Sequence, residues 1–342
     1  MGGRALKNTT TRRYEKEEFV NLSERLLEHL RKDFHKAVVP LYYRNKETFG
    51  DIDILVSMGY NDADFNMREY IETNFKPNEI FHNGTCWSFD FEEIQIDIIT
   101  CNPEHFDSNF MYLSYNDLGN FIGRIAHGFG LKYGQEGLWY EHTFKNKNIG
   151  KVLVSKDYSK IFSFLGLSFE RWEKGFDNLE DIFTYIAESP YFNWEMFQMD
   201  QLNKINRDRN KKRASYTSFL EWMEENVADD NHAYKFAEDK TSYFIKIDDS
   251  FPEANIVTAV RKLEYLECKK LYIQSKFNGG DVMRRYGFEG KELGDKLNNF
   301  KSYIIYKYDC NYEEYIIVTD TFDIYLDFEK YLKNELEARE ID

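Results

Sequence analysis

The sequence is short of cysteine, and its four (Cys86, Cys101, Cys268 and Cys310) are scattered, with no CxxC pair and no Cys/His cluster. That excludes a recognisable structural zinc set and predicts a reduced, cytoplasmic setting. Long apolar runs are missing too. No segment approaches the roughly 18 consecutive apolar residues of a membrane-spanning helix, and no membrane partner is expected. The opening MGGRALKNTTTRRYEKEEF has no apolar core of signal-peptide length, so export is not expected. Internal repeats and low-complexity tracts are absent. Positive charge is also in deficit: 45 Lys and Arg face 60 Asp and Glu, a net −15 over 342 residues. Such a balance argues against a protein that simply coats nucleic acid. What is present is a chain long enough for two or three cored domains. Aromatics make up 17 % of it, a load that calls for core or stacking roles.

Apolar residues recur at helical spacing from Phe19 to Phe34, which predicts an amphipathic helix between Tyr14 and Val38. DIDILVSMG, FHNGTCWSFDF and EEIQIDIITCN have strand character, and a helix is expected from Asp62 to Asn74. After Pro103 the pattern is mostly helical, with candidates near 115–130, 155–165, 178–188, 191–211 and 215–228. SYFIKIDDS, at 242–250, suggests a boundary. Beyond it, 254–275 and 290–303 look helical, and YIIYKY and YIIVTD look like strands. The charge is uneven. KINRDRNKKR (204–213) carries six basic residues and one acid, whereas the last 32 residues carry a net −7. A basic run of this kind is either a solvated helix face or a phosphate-tracking patch beside a site.

The sharpest local feature is Gly50-Asp51-Ile52-Asp53-Ile54-Leu55-Val56. In a strand, Asp51 and Asp53 project from one face. Two carboxylates on one face of an apolar strand repel each other and are costly to desolvate. A divalent cation with a preference for oxygen ligands removes that conflict. A third acid, Asp97, lies in another apolar strand, Ile94-Gln95-Ile96-Asp97-Ile98-Ile99. If the two strands are neighbours, three carboxylates converge at one end of a sheet, as two-metal phosphoryl or nucleotidyl transfer requires. The competing reading is a turn cap with acids on an edge strand.

Leu41-Tyr42-Tyr43-Arg44-Asn45-Lys46-Glu47-Thr48-Phe49-Gly50-Asp51-Ile52-Asp53 resembles the palm motif of family X DNA polymerases, within the DNA polymerase beta-like nucleotidyltransferase superfamily. Tyr112-Leu113-Ser114-Tyr115-Asn116-Asp117-Leu118-Gly119-Asn120-Phe121-Ile122-Gly123-Arg124 is similar to the segment joining palm to thumb, and VSKDYSKIFSFLGLSF (154–169) to a later thumb helix. The resemblance spans roughly 38–170. It implies that Asp51, Asp53 and Asp97 are catalytic and hold two Mg²⁺, with Mn²⁺ as the alternative ion. It implies that Arg44, Lys46, Gly50, Tyr112, Asp117 and Asn120 bind the nucleotide, and that Arg124 touches the nucleic acid. The departures are Pro40-Leu41 where the family has Gly-Ser, Tyr43 where a second arginine is common, and Ser114-Tyr115 where Thr-Gly is usual. Only some 38 residues precede the palm-like segment here, so the family's lyase and fingers domains are not expected in this sequence.

A second resemblance, to the C-terminal helical motif of CCA-adding enzymes and bacterial poly(A) polymerases, lies in FNGGDVMRRYGFEGKELG (277–294). There Gly287 and Gly290 predict a tight turn, with Arg284, Arg285 and Lys291 adding charge beside a helix start. Together these readings predict an α+β chain. Its parts are a lead-in and helix (1–38), a nucleotidyltransferase palm with a small mixed sheet (39–110) and a thumb-like helical domain (111–190). A basic connector (191–245) and a C-terminal α/β module (246–342) follow. The expected partners are a nucleoside triphosphate and a DNA or RNA 3′ end. Nucleic-acid contacts are expected from Lys204, Arg207, Arg209, Lys211, Lys212 and Arg213 along with Arg124, Arg284, Arg285 and Lys291. The alternatives are template-independent addition to an RNA 3′ end and a degenerate domain that only binds.

Overall fold

Alternation and helical spacing in the first hundred residues resolve into a sheet with helices packed on one face. The computed structural model describes residues 5–59, 65–227 and 232–341. It divides into two compact units, one of residues 1–142 and 151–257 and one of 143–150 and 258–342. The first unit opens with β1 (Tyr14–Glu15) and α1 (Lys16–Asp33), followed by β2 (Lys36–Val38), β3 (Thr48–Phe49) and β4 (Asp51–Ser57). Next come α2 (Met67–Phe75), β5 (Ile80–Asn83), β6 (Cys86–Phe91) and β7 (Ile94–Cys101). The helix expected from Asp62 begins, among the described residues, at Met67, where the Asn66 side chain accepts from the Glu69 N–H; residues 62–64 lie outside the described residues.

Five strands form a mixed sheet in the order β2-β4-β7-β6-β5. The central pair, β4 and β7, is parallel, and the other pairings are antiparallel. A parallel pair needs a long crossover, here supplied by α2 and the β5–β6 hairpin. On one face Ile52, Ile54, Val56, Ile96 and Ile98 are buried against Phe19, Leu22, Leu26 and Leu30 of α1 and Ile71 of α2. That face is the core, and burial of this many aliphatic side chains is its main driving force. On the opposite face Leu55 and Ile99 pack with Phe106, while the neighbouring end of the same strands carries the acids.

The chain continues through α3 (Phe106–Leu113) and α4 (Leu118–Gly128) into β8 (Leu131–Gly134), β9 (Gly137–Phe144) and β10 (Lys147–Ser155). These last three make a small sheet in the order β10-β9-β8, where helix was expected to predominate. Leu138, Tyr140 and His142 are buried and alternate with exposed Glu141 and Thr143, and Lys145 and Asn146 take the positive φ of a tight hairpin turn. Then follow α5 (Tyr158–Phe164), α6 (Phe169–Lys174), α7 (Leu179–Ala187), α8 (Lys204–Asn210), α9 (Ala214–Asn226) and α10 (Phe244–Ser250). The single helix expected over 191–211 is broken into two 3₁₀ turns and the short α8. Asn193 and Asn203 cap backbone N–H groups inside that stretch and restart the chain twice.

The second unit is built mainly from α11 (Ile256–Lys276), α12 (Gly279–Tyr286), α13 (Gly290–Tyr308), α14 (Tyr312–Val318) and α15 (Thr321–Ile341). The expected C-terminal α/β module is therefore corrected: residues 258–341 form helices and contain no strand. YIIYKY falls inside α13 and YIIVTD begins inside α14. Their aromatic and β-branched residues favour strands locally, but Leu293, Leu297, Phe300 and Ile304 continue one helical face into that run and pack in the unit's core. Gly287 and Gly290 do take positive φ in the turn between α12 and α13. No helix of the described residues is long and apolar enough to cross a membrane.

Candidate metal centre and cleft

The parallel pairing of β4 with β7 sets Asp53 opposite Asp97 and Asp51 opposite Gln95. Because side chains alternate with period two, all four groups leave the sheet on the face away from α1. Asp51, Asp53 and Asp97 each bring a carboxylate oxygen within 4.8 Å of the others. Asp97 is the most buried of the three. Gln95 donates to both its oxygens, at 2.9 and 3.0 Å, and itself accepts the Ala5 N–H at 2.9 Å. One acid of the trio is thus anchored, and the other two face a cleft.

That cleft has a volume of about 880 Å³, and Lys46, Asp51, Asp53, Tyr112, Arg209 and Arg213 are among the residues that line it. The N-terminus of α4 organises its cationic wall. Asp117 is buried and accepts from the Arg213 guanidinium and the Ser215 hydroxyl. Asn120, one turn on, accepts from Arg209 Nη2 at 2.9 Å. The last turn of α3 brings Tyr112 to the same cleft, and Gly119 of α4 is required beside it because a Cβ would stand 2.3 Å from the Tyr112 carbonyl oxygen. Tyr115, in the turn between α3 and α4, has φ +60° and is held by burial against Trp172 and Phe176.

Crowding of like charges dominates the electrostatics. Burial raises the Asp97 carboxyl to about 7, with repulsion from Asp51 adding to it, while hydrogen bonds from Ser88 and Gln95 oppose the rise. Asp53 is raised well above the usual carboxylate range by the protein packed around it and by Asp51 and Asp97; Lys46 and Arg213 pull the other way. Since its side chain still meets solvent in the cleft, we assign the larger part of that rise to repulsion. Lys46 is lowered by burial, with Asp51 and Asp53 opposing. Its ammonium lies 4.5 Å from the centre of the Phe49 ring.

No known family profile and no curated protein matches the chain.

The structure gathers Lys46, Gly50, Asp51, Asp53, Tyr112, Asp117, Asn120, Arg209 and Arg213 around one cleft, with Asp97 beside them. Other expected site residues point elsewhere. Arg44 is not in the cleft wall; it pairs with Asp177 at 2.5 Å and donates to the Lys174 carbonyl. Arg124 is directed to the Met196 carbonyl, with Nε at 3.1 Å. Arg207 tethers its own segment through the Met199 and Leu202 carbonyls, at 2.9 and 2.8 Å. Lys204, Lys211 and Lys212 are exposed. Arg284, Arg285 and Lys291 belong to the second unit, where Arg284 pairs with Asp281 and Arg285 lies 4.0 Å from the Tyr325 ring centre. The sequence reading missed Gln95 and Ser215. Gln95 was detectable, being two residues before Asp97 on one strand face, but nothing local marks Ser215.

Proposed function

We propose that the chain is a divalent-metal-dependent nucleotidyltransferase, and that β4 and β7 form the floor of a palm of the DNA polymerase beta-like kind. The observation that carries this reading is the acid trio, two of whose members, Asp51 and Asp53, line one cleft with Lys46, Arg209 and Arg213. The donor set fits a hard cation. It is all oxygen, and the trio is too crowded to stay fully ionised alone, so a divalent ion relieves it as protons otherwise would. When bound by Asp51, Asp53 and Asp97, Mg²⁺ supplies Lewis acidity toward a hydroxyl and a triphosphate.

The rest of the chemistry falls to the chain's own residues. Lys46, Arg209 and Arg213 hold phosphate oxygens, Arg209 and Arg213 being kept on the wall by Asn120 and Asp117. Tyr112 packs against the sugar. A nucleic-acid 3′-oxygen forms a bond to the α-phosphorus, the α–β bridging bond breaks, and pyrophosphate leaves. The hydroxyl proton passes to Asp97, the carboxylate that Gln95 anchors. Incubation with labelled DNA and RNA primers, Mg²⁺ and each nucleotide tests the reading, with and without an opposed template. Extension is expected, and it should fall at least ~10³-fold in Asp51→Ala/Asp53→Ala. No extension in any combination, or full activity in that variant, overturns it.

One observation favours a second reading, a module that binds nucleotide or nucleic acid without transfer. The backbone at Leu41, where the resembling family cradles phosphate, is already used: its N–H donates to Ser114 Oγ at 3.1 Å and its carbonyl accepts from Tyr115 at 2.6 Å. Calorimetry with a nucleoside triphosphate and Mg²⁺ separates the two. Nucleic-acid affinity without triphosphate binding supports the second.

A further inference from the structure

In the first unit, one lysine is held in an aromatic cage with no carboxylate partner among the described residues. Lys246 of α10 is half-buried and donates to the Tyr191 hydroxyl at 2.7 Å. Its ammonium stands 4.1, 4.9 and 5.5 Å from the ring centres of Tyr191, Phe129 and Phe164. Ring faces attract a cation but accept no strong hydrogen bond, so the ammonium keeps donors to spare. It lines a hollow of about 450 Å³ with Ser159, Lys160, Ser163, Tyr191 and Ser250.

The placement of these groups is regular. Ser159 and Ser163 are four residues apart on α5, and Lys246 and Ser250 are four apart on α10, so each helix presents two donors on one face. None of the three serine side chains hydrogen-bonds to a described residue. Lys160 at the rim is matched by Glu253 at 3.3 Å, which leaves Lys246 as the uncompensated charge. Donors converging from two helices around one fixed cation suit a tetrahedral anion with acceptors on every side better than a planar carboxylate.

We propose that this hollow is a phosphate-binding site distinct from the acid cleft, with which it shares no lining residue. Lys246, Ser159, Ser163 and Ser250 donate to a phosphate group, either free or in the backbone of a nucleic-acid strand. The site does not depend on the nucleotidyltransferase reading.

The test uses the full chain in EDTA, which keeps cations out of the acid cleft. Inorganic phosphate is titrated against chloride at constant ionic strength, and hydrogen exchange is read in residues 158–164 and 244–250. Phosphate should slow exchange in both segments, and acetate should not. Lys246→Met keeps the stem inside the cage and removes the charge; it should weaken the effect about tenfold. Ser163→Glu, at an exposed position, should do the same without touching the cage. A ten-nucleotide single strand in the same assay identifies the source. Tighter protection than by phosphate assigns the site to a strand backbone, and none assigns it to a small phosphate. Unchanged exchange with phosphate, equal protection by acetate, or variants that respond like the wild type would each overturn the site.

Discussion

Asp97 in the first unit and Asp327 in the second are both buried aspartates, yet their surroundings drive them in opposite directions. Asp97 is raised to about 7 by burial, with repulsion from Asp51 adding to the rise. Burial would raise Asp327 as well, but Tyr308 and Tyr315 donate to one of its oxygens and Lys307 to the other, and together they hold it at about 2. One carboxylate is completed by the protein. The other is left wanting positive charge. Burial alone therefore says little about a carboxylate, and the groups facing it decide.

The contrast can be broken at either end. Asp327→Ala strands two tyrosine hydroxyls and Lys307, so the second unit should lose about 3 kcal/mol, read from urea dependence of hydrogen exchange in α13 to α15. Asp97→Asn should act with the opposite sign, stabilising the metal-free first unit by about 2 kcal/mol at pH 8. A loss there would mean that the trio is not under strain.

The pH dependence follows the same division. Because the folded pKa of Asp97 lies above its unfolded value, metal-free stability of the first unit should rise as pH falls from 8 toward 6. Asp327, with its folded pKa depressed, contributes stability that is present above about pH 4 and lost as pH falls toward 2. Mg²⁺ should flatten the first profile and leave the second unchanged, as thermal unfolding with and without the ion would show. The smallest effects concern the arginines. Arg213→Met should weaken triphosphate binding about tenfold in calorimetry, whereas Arg44→Ala should change it less than about twofold, since Arg44 faces Asp177 and Lys174.

The acid trio was legible because alternation in DIDILVS and IQIDII is a local signal, and locality is what a sequence displays best. The adjacency of the two strands was only conditional, since it depends on a crossover through α2 and the β5–β6 hairpin. The basic segment at 204–213 was visible as charge. That Arg209 and Arg213 reach the cleft while Arg207 is spent on carbonyls depends on Asn120 and Asp117, almost ninety and a hundred residues away. In YIIYKY and YIIVTD local preference pointed the wrong way, because a core shared by several helices outweighed it.

The parallel pairing of β4 with β7 also bears on how the molecule comes into being. Asp53 and Asp97 become neighbours only after the forty-odd residues between them have gone round the crossover, a non-local step that is slow compared with helix formation. A partly folded chain can therefore own α1 and every helix of the second unit without possessing the centre. On the proposed reading, affinity for a divalent ion should emerge late, in the same event that closes the sheet, and a cation trapped there should slow the sheet's reopening more than any other motion of the chain.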